Sequence, residues 1–565
     1  MKKFILLSFL GLLVMALSTS AYAQMEFKAS GFIDAQWFYN VNATPANPAG
    51  GLYDALPSAF KYDTDPTHVY PAFPPTFGTK QLGALDRKVN YYESRARLKF
   101  DAIMDKNLSG TIFFEFDSSR WGDIAGGNAS KISERGTYGY WSGDRGALEV
   151  KNIYFDFGLP YIGIPAPMSF RVGLQPLSIR NNIFLYTDGM GVTWTTKIDP
   201  VALQLMWFKP FEGRDAVSQD DVDVLGAHLT AKIGTITAGA YALYYNMNAF
   251  PFNAITAGTV YGYSGSFDAE MWWLGAYADG KLGPVNFNVD GVMDTGKVKD
   301  HLKGFSFYPA PLGTPINPFI DDVKYKGWAA RAKIDFPWQK FNFGVQGYYA
   351  SGADANQTDP SGLPGRTTND SGLFTFLTGF PKYSSKVSSY VVPPGSEAGS
   401  IFGESVVFYS FWANRGDSGI ANTLNYTQMS RGPIGGTWMA KAYASVMAAP
   451  WYKVTLQGMY IGDTTKNGDT FGNAQAFTWI PTGPGSLSGF SQLRDKNDIG
   501  WEIDLINEIS IYKNLKLVVA GGYLFAGSAM DQFTGRSFSF GALPTLLNDE
   551  IKNPWAITWN LTYNF

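Results

Sequence analysis

Residues that could carry covalent chemistry are few in this 565-residue chain. It contains no cysteine and three histidines, His68, His228 and His301. None of them stands in an HExxH, CxxC or GxSxG arrangement, the patterns typical of zinc proteases, redox dithiols and serine hydrolases. We therefore expect no catalytic residue, no metal site and no cofactor, and we expect that the protein is not an enzyme.

Two short stretches imitate ligand-binding motifs. "GAYADGKL" (275–282) has the spacing of a phosphate-binding loop, but Leu282 replaces the Ser or Thr that would bind magnesium, and the stretch ends a predicted strand rather than opening a helix. "DTTKNGD" (463–469) resembles the start of a calcium loop, but it lacks the acid at the third position and the closing Glu. We interpret the first as accidental and the second as a turn.

Charged residues recur at alternate positions of otherwise apolar segments. In "YYESRARLKFDA" (91–102) the charged set is Glu93, Arg95, Arg97, Lys99 and Asp101. The corresponding sets in 323–336 and 497–511 are Arg331, Lys333, Asp335 and Glu502, Asp504, Glu508. Alternation places each set on one face of a β-strand. In a dry core each charge would cost several kcal/mol, so the pattern predicts that these side chains line a water-filled interior.

The segments that would position these residues are strands along the whole chain, and helical periodicity is nearly absent. Alternation and turn residues predict eighteen strands. Most reach the roughly 9–11 residues that a tilted strand needs to cross a bilayer. The predicted strands are 27–41, 88–104, 108–119, 147–158, 168–176, 189–198, 201–210, 221–233, 235–247, 268–282, 285–296, 323–336, 341–352, 436–449, 452–464, 497–511, 515–527 and 553–565.

The connections between these strands alternate between tight turns and long loops. Tight turns such as Gly283-Pro284 and Pro450-Trp451 are separated by loops such as 42–87 and 353–435, the two longest. All long loops then lie at one end of the sheet, a pattern typical of membrane barrels, whose short turns face the periplasm. Loops of this length are expected to be lids, infolded constrictions or disordered segments.

The N-terminus predicts export. Lys2 and Lys3 precede an apolar run, and Ala21-Tyr22-Ala23 forms a small-x-small cleavage site before Gln24, as in a secretory signal peptide. Its removal takes away two lysines and no acid, so the net charge changes from −3 to −5. A mildly acidic chain without a basic cluster gives no electrostatic footprint for nucleic acid. The sequence therefore divides into a signal peptide (1–23) and one barrel (24–565).

Composition favours a membrane barrel over a soluble sandwich. Aromatic residues make up 16% of the chain and charged residues also 16%, against roughly 25% charged in an average soluble domain. No apolar run after the signal peptide reaches the roughly 20 residues of a spanning helix. Aromatic residues crowd the strand ends, as in Trp207-Phe208, Trp272-Trp273 and Trp438, which suits the girdles at membrane interfaces.

The last strand completes a resemblance to a known family. "NPWAITWNLTYNF" alternates large apolar with small or polar residues and ends at Phe565. With the signal peptide, the loop pattern and the segments "SRARLKFDA", "FRVGLQP" and "GWEIDLINEISIYKNLKLVVAGGYLFAG", it makes the chain resemble a Gram-negative outer-membrane porin. The resemblance implies an up-and-down antiparallel β-barrel of 16–18 strands, with 18 preferred. It also implies that Phe565, Tyr563 and Leu561 form the signal read by the barrel-assembly machinery.

The same resemblance implies the surroundings and the assembly. It places the mature chain in the bacterial outer membrane, among lipid and lipopolysaccharide, as a homotrimer that passes small hydrophilic solutes. The basic set on the second strand and the acidic set on the sixteenth would form opposed ladders with a transverse field across the pore, as at the constriction of general porins.

The main functional hypothesis is passive diffusion through a water-filled channel, and the alternatives differ in what the barrel interior does. A substrate-specific channel would use the Arg and Lys ladder to guide anions. A sealed barrel would serve structure or adhesion. An outer-membrane phospholipase would need a Ser–His pair on the outer face, whereas His228 falls on the inner one. An energy-coupled receptor is disfavoured because strands begin soon after Gln24 and leave no room for a plug domain.

Overall fold

The structure is a computed structural model that describes fifteen stretches of the chain. They are 25–41, 88–118, 148–159, 167–211, 221–248, 267–300, 323–352, 354, 386–396, 405–409, 435–466, 496–530, 532–535, 546–549 and 553–565. In these stretches no helix has the length and apolar character needed to cross a membrane.

Eighteen long strands form one sheet, as the sequence predicts. They are β1 (Glu26–Val41), β2 (Lys88–Asp105), β3 (Leu108–Ser118), β4 (Leu148–Gly158), β5 (Met168–Ile179), β6 (Leu185–Ile198), β7 (Val201–Phe211), β8 (Val222–Ile233), β9 (Ile236–Met247), β10 (Phe267–Leu282), β11 (Val285–Asp300), β12 (Val323–Trp338), β13 (Phe341–Ala350), β14 (Thr437–Ala449), β15 (Tyr452–Asp463), β16 (Asp498–Tyr512), β17 (Leu515–Ala526) and β18 (Trp555–Asn564). Three short strands lie outside this series. Lys386–Val387 pairs with β12, and Gln532–Gly535 pairs with Leu546–Asp549.

The sheet closes on itself between its first and last strands. Each long strand pairs antiparallel with its neighbour in sequence, and β1 pairs with β18 from Phe32 opposite Asn564 to Val41 opposite Trp555. Gly31 and Phe565 extend this seam by exchanging both backbone hydrogen bonds, at 2.9 and 3.0 Å. A closed barrel leaves no sheet edge unpaired. The predicted all-β up-and-down barrel with 18 strands is therefore confirmed.

Connections at the two ends of the barrel differ in length. At one end, seven of the eight links are two-residue turns, and the eighth, 159–167, joins β4 to β5. At the other end lie the long connections and one tight one, Arg180–Phe184 between β5 and β6. The sequence predicted a break at 177–188, but β5 and β6 continue through it and pair up to Ile179 opposite Leu185.

Side chains alternate between an apolar outer surface and an inner face. On β16, Trp501, Ile503 and Leu505 are exposed outward, whereas the residues between them are buried. Outward rings also pair near the long-loop end. These pairs are Tyr244–Trp272, Trp328–Tyr349, Trp438–Tyr460 and Tyr460–Trp501, with centroids 4.7 to 5.3 Å apart. Aromatic rings at this level are typical of the girdle of a membrane barrel.

The girdle prediction was wrong for two of its residues. Trp207 and Trp272 are exposed on the outer surface, but Phe208 and Trp273 are fully buried on the inner side. Successive residues of a strand point to opposite faces, so only one residue of each adjacent pair can reach the girdle.

The long loops fall largely outside the described residues. This holds for the whole of 42–87, which includes His68, and for His301 in 301–322. Of 353–435, the structure describes Asp354, 386–396, 405–409 and the final residue. The stretches 386–396 and 405–409 pack against inward-facing residues of the barrel wall.

Candidate functional site

The first part of the site is a strip of charged side chains on the inner face of β2 to β5, here called the polar wall. Its members are Arg95, Arg97, Lys99, Asp101, Glu115, Lys151, Asp156 and Arg171. Five of them are cations and three are carboxylates. Four of the eight, Arg95, Arg97, Lys99 and Asp101, are predicted pore-lining residues, and the structure places them side by side.

Glu115 on β3 organises the cations of β2. Its Oε1 lies 3.0 Å from Arg95 Nε and 3.0 Å from Arg97 Nη2, and its Oε2 lies 3.4 Å from Lys151 Nζ on β4. A carboxylate that faces three cations compensates part of their charge. The basic ladder expected from the sequence of β2 alone is thus a ladder of mixed sign, because its nearest neighbour strand contributes an acid.

The part of the polar wall nearer the short-turn end is also made of oppositely charged pairs. Lys99 Nζ lies 2.9 Å from Asp101 Oδ2, and Thr111 donates to the other oxygen of Asp101 at 2.6 Å. Arg171 on β5 binds Asp156 on β4 through two parallel hydrogen bonds of 2.7 and 2.9 Å. Two-pronged pairs of this kind fix orientation as well as charge.

The side chains of the polar wall are only partly buried. The side chains of Arg95, Lys99 and Arg171 keep 27%, 35% and 35% of their surface exposed. They face the interior of a closed barrel, since the residues between them, such as Phe100 and Phe155, are exposed outward. A barrel of 16–18 strands is wide enough to leave an aqueous channel, and this partly exposed strip lies on the inner surface of such a barrel.

Three short segments fold inward and narrow that interior. The first is the hairpin tip Arg180–Phe184, which reaches across to β9, β10 and β11. Arg180 binds both oxygens of Asp279 at 2.6 and 2.9 Å, and it also binds Asp290. Its guanidinium lies 4.2 Å above the Tyr277 ring, and Phe184 stacks on Tyr241 at 4.6 Å.

Arg180 is fixed in its charged form. Burial disfavours the charge, but the hydrogen bonds to Asp290 and Asp279 outweigh that effect and raise the pKa of Arg180 above its ordinary value. The tip turns there with φ of 46°, in the left-handed region. Non-glycine residues adopt this conformation at a cost and mainly where surrounding contacts hold them, which agrees with the number of bonds that Arg180 makes.

The second infolded segment is 386–396, which covers the inner side of β10 to β12. The buried carboxylate of Asp294 accepts from the backbone N–H groups of Gly327 (3.0 Å) and Val391 (3.1 Å). Trp273 Nε1 donates to the carbonyl of Val391 at 2.9 Å. The segment also binds the hairpin tip, because Tyr390 Oη donates to the Ile183 carbonyl at 2.6 Å and Ser396 Oγ to that of Phe184 at 2.9 Å.

The third infolded segment is 405–409, which covers the inner side of β16. Glu502 accepts from the N–H groups of Val407 (2.6 Å) and Phe408 (3.0 Å), and Asp504 accepts from Val406 (3.1 Å). Both carboxylates are fully buried. They were predicted to line the pore opposite the basic ladder. In the structure they face the interior but bind backbone, so the infolded segment separates them from water.

The other predicted pore-lining residues lie on the inner face in different surroundings. Glu93 is buried. Arg331 Nη1 donates to Asn288 Oδ1 at 2.6 Å and lies 3.8 Å from Asp290. Lys333 lies 3.6 Å from Asp335, which Tyr443 also binds. Glu508 pairs with Lys453 at 2.9 Å and with Lys516, near the short-turn end.

The sequence prediction missed Asp279, Asp290 and Asp294, the carboxylates that hold two of the infolded segments, and Arg180, which binds the first two of them. Asp290 and Asp294 follow the same alternation as the predicted ladders, so face assignment of 285–296 would have found them on the inner side. Their partners could not be found that way, because Arg180 lies 110 residues from Asp290 along the chain.

His228 lies on the inner face as its position in the strand predicts, with Nε2 2.9 Å from Tyr277 Oη. Across the described stretches, no three His, Asp or Glu side chains are grouped so that they could hold a metal ion.

Comparison with known proteins gives similarity at the level of structure alone. No protein-family model matches the chain, and no curated protein matches it. The Pseudomonas aeruginosa protein OccK8 (OprE) is similar with a TM-score of 0.44 and 9% identity over 96% of this chain and 98% of its own. OpdQ and OccK1 (OpdK) of the same organism have TM-scores of 0.40, at 10% and 8% identity, over 95% of this chain and 98% of theirs.

Proposed function

We propose that the protein is an outer-membrane channel through which small hydrophilic solutes and ions diffuse passively. The observation that carries the proposal is the partly exposed polar wall inside a closed barrel of 18 strands. Charges cost little where water reaches them and several kcal/mol in a dry core. The apolar outer surface and its aromatic rings suit the barrel to a bilayer.

A substrate-specific channel is the second candidate, and the infolded segments favour it. The hairpin tip, 386–396 and 405–409 cover the inner faces of β9 to β12 and of β16, whereas the polar wall keeps exposed charges. A path confined to one side of the lumen lets fixed groups select among solutes. Its anion-guiding form has less support, since Glu115 compensates part of the positive charge of Arg95 and Arg97.

Liposome swelling distinguishes these two candidates. A general channel admits neutral solutes at rates that fall smoothly with solute size. A specific channel admits one class faster than others of equal size. If folded protein admits no solute at all, the sealed barrel with a structural or adhesive role replaces both candidates.

The proposal includes the remaining steps of biogenesis and assembly. Cleavage after Ala23 would give a mature N-terminus at Gln24, which N-terminal sequencing of the membrane-extracted protein tests. Phe565, Tyr563 and Leu561 would form the signal for the barrel-assembly machinery. Contact with lipopolysaccharide and a homotrimeric assembly are further parts of the proposal, and mass measurement of the detergent-extracted protein tests the assembly.

A further inference from the structure

A polar cavity lies in the barrel interior against β4 to β7 and shares Asp156 and Arg171 with the polar wall. It has a volume of about 240 Å³, which is the volume of roughly eight water molecules at liquid density. The polar side chains of its lining include those of Asp156, Arg171, Gln175, Thr193, Thr195 and Gln204. A cavity with several convergent polar groups is the usual form of a small-molecule site.

The charges in this cavity cancel each other. Arg171 binds Asp156 through two hydrogen bonds of 2.7 and 2.9 Å, and its guanidinium also lies 4.2 Å over the Tyr154 ring. An incoming anion would meet the Asp156 carboxylate, and an incoming cation would meet Arg171. The cavity therefore offers hydrogen bonds without a net charge, which favours an uncharged polar solute.

Part of the lining is rigid. The buried side chain of Gln175 donates from Nε2 to the carbonyl of Gly191 at 3.0 Å and to that of Arg171 at 3.2 Å. Its Oε1 accepts from Thr193 Oγ1 at 2.9 Å. These bonds hold the two side chains in one orientation without a solute, and a preformed site loses less conformational entropy on binding.

The contact between two other lining residues, Gln204 and Thr195, is weak enough for a solute to replace it. Gln204 Nε2 lies 3.5 Å from Thr195 Oγ1, at the long limit for a hydrogen bond. Both residues are only partly buried. A hydroxyl-bearing solute could replace this weak contact with two shorter ones, since an amide and a hydroxyl each donate and accept.

We propose that this cavity binds a small uncharged polyol and is the solute-binding site of the channel. The inference rests on the substrate-specific form of the proposed channel and names the class of solute that such a channel would select. Hydroxyl groups along a carbon chain match the amide and hydroxyl lining. The Arg171–Asp156 pair supplies further donors and acceptors, since both its members use only part of their hydrogen-bonding capacity on each other.

The test is a saturation-transfer NMR titration of xylitol against the full chain folded in detergent micelles. The variant is Thr195→Val with Gln204→Leu, which removes the polar groups of the weak Gln204–Thr195 contact and keeps side-chain size. The control is Gln36→Leu, which removes a half-buried glutamine from β1, where its Nε2 donates to Asp34 Oδ2 at 3.2 Å, away from the cavity. Gluconate, an anion of similar size, serves as the charge control.

The expected result is a saturable xylitol signal whose Kd rises about thirtyfold in the double variant, for the loss of two ordinary hydrogen bonds, but not in Gln36→Leu. A signal that does not saturate, or that is equal in all three proteins, would overturn the inference. Tighter binding of gluconate than of xylitol would also overturn it. Because this readout needs no ion flow, it is independent of the bilayer experiment that tests the channel function.

Discussion

Removing the Arg180 side chain tests whether the hairpin tip restricts the channel. Arg180 joins the tip to β10 and β11 through Asp279 and Asp290, and Asp290 is fully buried. Truncating one member of a buried ion pair costs about 3–5 kcal/mol. Since Asp279 keeps 34% of its side chain exposed, we use the lower figure of about 3 kcal/mol, which changes an equilibrium between docked and undocked tip by roughly a hundredfold.

The other contacts of the tip set the scale for that loss. The hydrogen bonds from Tyr390 and Ser396 to the carbonyls of the tip each contribute about 1 kcal/mol. The stacking of Phe184 on Tyr241 adds roughly 0.5–1.5 kcal/mol. The cost of removing Arg180 is therefore about as large as the contribution of the remaining attachments together, so the Arg180→Met tip is expected to open and close during recording.

Two readouts in a planar bilayer follow from this estimate. Arg180→Met should increase the open-channel current noise and the mean single-channel conductance. It should also shift the reversal potential toward cation preference, because Asp279 and Asp290 lose a positive partner. Arg180→Lys is the matched control: it keeps the charge and so the ion preference, but an ammonium lacks the planar fork that binds two carboxylates, so the noise should still rise.

The reasoning is refuted if folded Arg180→Met protein has wild-type conductance, noise and reversal potential. In that case the tip does not border the conducting path. A change in noise alone, without a change in ion preference, would contradict the electrostatic half of the account.

Three further predictions test the other parts of the interior. Glu115→Gln leaves three neighbouring cations without their shared carboxylate, so the reversal potential should shift toward anions, whereas Glu26→Gln at the barrel rim should leave it unchanged. Asp294→Asn removes one of two acceptors for backbone N–H groups, a loss of about 1–3 kcal/mol; hydrogen exchange at Val391 should accelerate by about five- to hundredfold, and an unchanged rate would contradict the anchoring of 386–396. Deletion of Phe565 should lower the amount of folded barrel in cells more than the yield of refolding in detergent, and equal losses would argue against a recognition signal.

Much of the barrel could be predicted because its signals are local. Alternation decides which residues share a face, and it placed all eighteen strands, including β5 and β6, whose predicted ranges were several residues too short. The side of each connection follows from strand order alone. The same locality explains the error at Trp273, because a run of two aromatic residues indicates the strand end but not which ring faces lipid.

The infolded segments could not be predicted because their partners are distant in sequence. Glu502 alternates with apolar residues, as a pore-lining acid would. Nothing nearby in the sequence indicates that the backbone N–H of Val407, 95 residues away, donates to its carboxylate. The carboxylate that faces the β2 ladder could not be predicted for a related reason. Arg95 and Arg97 alternate in one strand, but the carboxylate of Glu115 that faces them comes from the next strand.

The central claim is that the barrel conducts, and single-channel recording of the mature protein in a planar bilayer with a salt gradient tests it most directly. The account predicts discrete, ohmic current steps. The reversal potential should shift toward anion preference in Glu115→Gln and toward cation preference in Arg180→Met. Protein that is folded, as shown by its heat-modifiable migration, and yet passes no current would contradict the account and leave a sealed barrel.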